Sequence, residues 1–258
     1  MAGRFEGKVA VVTGAGAGIG RAVALALHAE GALVVANDVQ EERLAALGRD
    51  APIVPVAGST ADPGTPGKLV EAALAAGGAV DVLVNNAGIS KLGDAETFDL
   101  DDWRRIIEID LNAYFYVAQA VGRQMIAQRR GAIVNVSSTS GLSGMPRNAA
   151  YVAAKHGVVG LTRALAIEWA RYGIRVNAIC PGLTETETIR ELERAQPELI
   201  GARRASTLLG RLALPEDQAR VVLFLLSDEA AYVNGLIANV DGGGLALYAG
   251  YPAPRIEP

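Results

Sequence analysis

Seven short apolar runs, rich in β-branched residues, recur along this chain at residues 9–12, 33–36, 53–56, 82–84, 133–136, 176–179 and 236–240, and Ala/Leu-rich stretches of helical period separate them. Apart from Asn135, Asn177 and Asn239, these runs are apolar at successive positions rather than alternating, the pattern of strands covered on both faces. That rhythm predicts an α/β fold, a doubly wound, seven-stranded parallel sheet with helices on either side. No Ser/Pro-rich linker, low-complexity tract or repeat interrupts it, so one domain over residues 1–258 is expected. Half of the residues are hydrophobic, enough for one large core.

Charge and composition exclude several kinds of function. With 24 Lys and Arg against 28 Asp and Glu, the net charge is −4, which argues against a nucleic-acid surface. Two histidines, His28 and His156, and one cysteine, Cys180, lack the spacing of a metal site, so no metal is expected. A lone cysteine forms no internal disulfide, and the charged start of the chain does not read as a signal peptide. The expectation is a soluble cytoplasmic protein without a membrane segment.

Two long helices are predicted, at 101–130 with Gly131 as its stop and at 148–172 with Gly173 as its stop. Asp101 and Asp102 lie at the positive end of the first, Arg129 and Arg130 at its negative end. The Glu- and Arg-rich segment 184–214 fits neither a tight connection nor a core helix, and reads as a substrate lid.

Directly after the first strand comes Thr13-Gly14-Ala15-Gly16-Ala17-Gly18-Ile19-Gly20, which opens into a helical stretch at 21–30. Strand, glycines and helix make a dinucleotide site, because glycines admit the pyrophosphate and the free amides of a helix start attract its charge. The spacing is Gly14-x3-Gly18-x-Gly20 rather than GxGxxG, and a merely tight connection is the competing reading. Asp38 closes the second strand, 18 residues after Gly20, where a carboxylate accepts from ribose hydroxyls and repels a 2′-phosphate. NAD is therefore favoured over NADP, against the plainer reading of Asp38 as a turn cap. Tyr151 and Lys155, four apart in the second helix, share a face, and Ser138 lies at the carboxyl end of the fifth strand, where open α/β sheets bind ligands.

In combination these motifs resemble the short-chain dehydrogenase/reductase family, in its compact single-domain subtype with Tyr-x3-Lys. Thr13 to Gly20, Asn85-Asn86-Ala87-Gly88, Ser138, Tyr151-x3-Lys155, Pro181-Gly182 and Asp241-Gly242-Gly243 fall in the family's order over essentially the whole chain. The resemblance implies a Rossmann-like fold, interconversion of a secondary alcohol and a ketone, and NAD(H) as cofactor. It implies Tyr151 as general acid/base, Ser138 as the polariser of the substrate oxygen, and Lys155 as the ribose ligand that assists Tyr151. A free phenol has a pKa near 10, and bringing one to roughly 7 takes about 4 kcal/mol, a task for a neighbouring cation.

Around the cofactor the resemblance places Gly14, Gly16, Gly18, Ile19, Gly20, Asp38, Asn86, Ala87, Gly88, Pro181 and Gly182, with Val136 behind them and Thr186 or Thr184 at the far side. Facing the substrate it places Ser90, Ser140, Leu142, Met145, Arg147, Asn148 and Leu183. In two places the chain departs from the family pattern. Asp110 occupies the position of the family's fourth catalytic residue, an asparagine, with Asn112 two residues on. The acid expected near the adenine after the third strand is missing, Ser59 and Asp62 being nearest. Two alternatives compete with the alcohol dehydrogenase reading: an NADPH-dependent 3-oxoacyl-thioester reductase, and a non-catalytic NAD-binding regulator. The small residues of the second helix and the apolar tail at 245–254 point to a homotetramer.

Overall fold

The first apolar run becomes β1 (Val9–Thr13), buried at every position. The chain then alternates helix with strand: α1 (Gly18–Ala29), β2 (Leu33–Asp38), α2 (Glu41–Asp50), β3 (Ile53–Ala57), α3 (Thr65–Gly77) and β4 (Val82–Asn85). Next come α4 (Leu100–Ile107), α5 (Ala113–Gln128), β5 (Gly131–Val136), α6 (Ala149–Trp169) and β6 (Ile174–Pro181). The last elements are α7 (Glu187–Ala195), α8 (Pro197–Ala205), α9 (Pro215–Leu226) and β7 (Ile237–Val240). This computed structural model describes residues 3–205 and 207–246.

The seven strands form one parallel, doubly wound sheet in the order β3-β2-β1-β4-β5-β6-β7. Successive residues of β1 serve opposite faces. Ala10 and Val12 pack with Val23 and Leu27 of α1 and Val222 of α9, whereas Val9 and Val11 pack with Leu69 of α3, Val117 of α5 and Leu165 of α6. This double coverage is why the central strands read as apolar runs, whereas the edge strands β3 and β7 contain no fully buried residue. The order reverses between β1 and β4, and such a reversal opens a crevice at the carboxyl ends of the two strands. Thr13 and Asn85 end those strands and mark its floor.

Several predicted boundaries are corrected. The first long helix is not a single α-helix over 101–130. It starts at Leu100 behind Asp99, whose side chain accepts from the Asp101 and Asp102 N–H groups at 2.8 and 3.0 Å, and a π-helical turn at Glu108–Asn112 divides α4 from α5. Nor does Gly131 stop it. Arg129 ends α5 in the left-handed conformation, with φ 59°, while Gly131 opens β5 where a Cβ would collide with Met125. The second long helix runs as α6 and tightens into a 3-10 turn over Ala170–Tyr172 before Gly173, whose φ of 74° suits glycine. The first helix begins at Gly18, not at Arg21, so its opening turn is built from the glycine motif itself. Segment 184–214 contains α7 and α8, of which α7 buries no residue and α8 only Ile200.

Candidate active site

Lys155 is the anchor of the site. Its ammonium is 3% exposed on α6, donates to the Tyr114 hydroxyl at 3.1 Å and to the Val136 carbonyl at 3.3 Å, and lies 3.2 Å from Asp110 Oδ2. Burial alone would lower its proton affinity. The oxygens of Tyr114, Asp110 and Tyr151 overcome that and hold it above the ordinary lysine value, so a permanent cation sits inside the protein. Its Nζ is 5.5 Å from the centre of the Tyr151 ring, one helical turn earlier. Tyr151 is partly exposed and packs with Ile106, Ala150 and Ala154.

Ser138 lies two residues beyond β5, slightly past the strand end expected for it, and caps a 3-10 turn over Thr139–Gly141. Its Oγ accepts from the Ser140 N–H at 3.1 Å, which leaves the hydroxyl proton for an outside oxygen. The turn is seated on α6 at the level of Lys155: Ser137 Oγ donates to the Lys155 carbonyl at 2.9 Å, and a Cβ on Gly141 would fall 2.7 Å from that same oxygen. Glycine is therefore required for Ser138 to stand beside this part of α6.

At the other end of the crevice the glycine motif is drawn tight. Gly14 and Gly18 have φ of 61° and 52°, and a Cβ on Gly20 would strike the Gly14 carbonyl. Asn86 staples the turn to the end of β4, donating from Nδ2 to the Thr13 and Gly14 carbonyls at 3.0 and 3.1 Å. The first turn of α1 has no acidic residue, and its N-cap, Ala17, supplies no side-chain acceptor, so its amides face an anion site. Asp38 accepts from the Gly16 N–H and from the Gln40 N–H, each at 3.0 Å. It caps a turn and also holds a carboxylate beside the glycines.

A family model described as enoyl-(acyl carrier protein) reductase matches residues 14–244. The 3-oxoacyl-[acyl-carrier-protein] reductase of Thermotoga maritima is 41% identical over 245 residues, 93% of this chain and 98% of that one. The chain belongs to the short-chain dehydrogenase/reductase family. Cyclohexanol dehydrogenase from an Acinetobacter species is 41% identical over 250 residues, 94% of this chain and 96% of its own. Among solved structures, one from Agrobacterium tumefaciens, provisionally assigned as a 2-deoxy-D-gluconate 3-dehydrogenase and carrying bound NADP, is 40% identical with a TM-score of 0.85 over 94% of this chain and 98% of that one. Family membership makes the protein an oxidoreductase of CH–OH groups that uses a nicotinamide cofactor.

The residues present fit that cofactor, since the cradle formed by the glycine turn is packed too closely for side chains at Gly14, Gly16 and Gly20, and α1 begins beside it with no side-chain cap on its amides. Thr186 closes the cradle from the opposite side, a Cβ on Gly18 falling 3.0 Å from its Cγ2. Thr184 instead is buried, donating to the Gly182 carbonyl and accepting from Gln218. Gly182 lies against Asp241, and Pro181 ends β6. Ile19 and Ala87 flank the cradle: Ile19 packs on the core below it, and the Ala87 N–H donates to Thr13 Oγ1 at 3.2 Å.

Four of the seven residues expected to face substrate form one connected set: Ser90 Oγ donates to Asn148 Oδ1, and Asn148 and Ser140 both donate to the Met145 sulfur. Leu142 is exposed on the neighbouring turn. Arg147 points outward and pairs with Asp94 at 3.0 Å. Leu183 lines a cavity of about 330 Å³ between segment 207–213 and the end of β7, whose lining includes neither Tyr151 nor Ser138. Two residues were missed by the sequence reading. Tyr114 lies four after Asp110, a spacing that pairs side chains and could have flagged it. Arg43, in the first turns of α2, has its Cβ so close to Gly16 that a Cβ there would meet it at 2.6 Å.

Proposed function

We propose that the protein interconverts a secondary alcohol and a ketone with NAD as cofactor, Tyr151 acting as general acid/base, Ser138 holding the substrate oxygen and Lys155 assisting Tyr151. The observation that carries this reading is the buried Lys155 cation set one helical turn from a partly exposed tyrosine, with Ser138 on the adjoining turn. When bound, the nicotinamide ring takes hydride from the carbinol carbon or returns it. Tyr151, as phenolate, removes the hydroxyl proton in oxidation and, as phenol, supplies it in reduction. The field of Lys155 favours the phenolate, and the free Ser138 proton fixes the substrate oxygen. Gly14 through Gly20, Thr186 and Asp38 would hold the dinucleotide, and Lys155 its ribose.

Asp38 supports NAD, because its carboxylate is fixed where a 2′-phosphate would approach. A second reading, an NADPH-dependent 3-oxoacyl-thioester reductase, draws on the Thermotoga relative and on Arg43, a cation near that position. We propose further that the chain works in the cytoplasm, consistent with its single cysteine, and assembles as a homotetramer. Among the described residues no helix is long and apolar enough to cross a membrane.

The test is a panel of cyclic, aliphatic and sugar alcohols with NAD, read by NADH absorbance. At least one secondary alcohol should turn over in wild type. Tyr151→Phe should abolish that turnover while NADH still binds by fluorescence, and Ser138→Ala should lower kcat by on the order of 10²-fold. Wild-type rates in Tyr151→Phe would remove the proposed acid/base.

A further inference from the structure

Asp110 is a carboxylate where the family resemblance implies an amide, and its surroundings are unusual. The residue is fully buried on the π-helical turn. Oδ1 accepts from the Ile89 N–H at 2.8 Å, and Oδ2 makes no hydrogen bond yet lies 3.2 Å from Lys155 Nζ. A Cβ on Gly88 would fall 2.7 Å from Oδ2 and 3.4 Å from Lys155 Nζ, so the glycine is what lets the two groups meet beside the peptide.

We infer that Asp110 is a positioning residue that sets the pH at which Tyr151 exchanges its proton, by cancelling part of the Lys155 charge through the buried contact between them. The inference rests on the acid/base role of Tyr151 proposed above. With the carboxylate in place, the Asp110–Lys155 pair is neutral overall. An amide there would leave a net positive charge beside the phenol. Extra positive charge favours the phenolate, so Tyr151 would lose its proton at lower pH. The carboxylate does the opposite and reserves the phenol to higher pH.

The other groups around Asp110 leave this balance to the pair. From α6 come Lys155 and Tyr151. From α5 comes Tyr114, whose hydroxyl donates to the Val136 carbonyl at 2.9 Å and which burial pushes up to about 12, so it stays neutral. On the π turn itself, Glu108 accepts from Asn112 at 2.6 Å and stands beside Tyr116. On α4 the buried residue is Ile106, Arg104 and Arg105 are exposed, and the acids Asp101 and Asp102 pair with Arg104 and Lys91. From β6 comes Cys180, whose thiol burial pushes up. Burial also pushes the Asp110 carboxyl up, with Lys155 and the Ile89 N–H pulling the other way.

The test is Asp110→Asn, which keeps the shape and the acceptor for Ile89. The rising limb of kcat/KM for alcohol oxidation should move toward acid by about one to two pH units, the size of a unit charge about 6 to 12 Å away at an effective dielectric constant near 20. Tyr114→Phe loosens Lys155 without changing any charge and should move the limb by less than Asp110→Asn does. Ultraviolet difference titration of tyrosine in the cofactor-free protein, wild type against Tyr151→Phe, supplies a second readout, in which Asp110→Asn should again ionise Tyr151 at lower pH. If Asp110→Asn does not fold, Asp110→Ser carries the same comparison. A limb and a titration that both stay put in a folded neutral variant overturn the inference, as does an equal shift in Tyr114→Phe. Absence of any alcohol turnover in wild type, with the tyrosine titration still shifted, would instead sink the proposed reaction and leave Asp110's effect on Tyr151 standing.

Discussion

At the scale of single residues, the site depends on where charge is placed. Lys155 is costly to bury, and the Tyr114 and Val136 oxygens together with the Asp110 carboxylate surround it so that it remains a cation. Asp38 has the opposite sign and faces the glycine cradle, while Arg43 stands next to it on α2. The two make opposite demands on a 2′-phosphate. We expect wild type to prefer NAD over NADP in kcat/KM, Asp38→Ser to erode that preference, and Arg43→Ala to lower whatever NADP use exists. Equal use of both cofactors by wild type would overturn the NAD assignment and favour the thioester-reductase reading.

At the scale of elements, the π turn and the helices after β6 matter most. A regular α-helix through Glu108–Asn112 would carry residues at 100° steps; the wider turn changes that rotation and is the kind of local distortion that recurs at functional sites. It delivers Asp110 to Lys155 and is continuous with the helix that delivers Tyr114. The helices α7 and α8 together bury only Ile200, yet Thr186, the N-cap of α7, rests against Gly18 of the cradle. We propose that segment 184–214 is the lid expected from its sequence, hinged beside Gly182. Hydrogen exchange should slow across α7 when NADH and a substrate analogue are added together. Unchanged exchange there would leave Thr186 as a fixed wall rather than part of a closing element.

At the scale of the whole molecule, two groups of exposed apolar side chains lie on neighbouring elements, beside others scattered over the described surface. Leu100, Trp103, Phe115, Tyr116 and Ile167 are exposed along α4, α5 and α6, and Phe224, Tyr232 and Leu236 around α9 and the start of β7. A Cβ on Gly160 of α6 would meet open space, leaving room for a neighbouring helix. Surfaces of this kind mark association sites, and two of them per chain suit a closed assembly of four. The expected mass in light scattering at micromolar concentration is that of a tetramer. A dimer would retain one surface only, and a monomer would remove the assembly altogether. From residue 247 on, the apolar tail that contributed to this expectation, with Tyr248, Tyr251 and Pro252, lies outside the described residues.

What the sequence determined by itself was whatever depends on neighbours along the chain. Continuous burial of β1, β4 and β5 follows from runs such as Val9–Thr13, and the glycine turn follows from residues whose backbone must enter the left-handed region at Gly14 and Gly18. The shared face of Tyr151 and Lys155 follows from helical period alone. Tertiary structure decided what depends on groups far apart in sequence. Nothing local distinguishes Asp110 from a solvated helix acid, since its effect arises only when Gly88, Tyr114 and Lys155 enclose it. Arg43 reads as a surface charge on α2 until the end of β2 brings Gly16 against it. Arg147, placed toward the substrate from the sequence, pairs at the surface with Asp94, 53 residues earlier in the chain. The physical reason is common to all three: the environment of a charge is set by what surrounds it in space, and the solvation of an ion carries more energy than any local conformational preference.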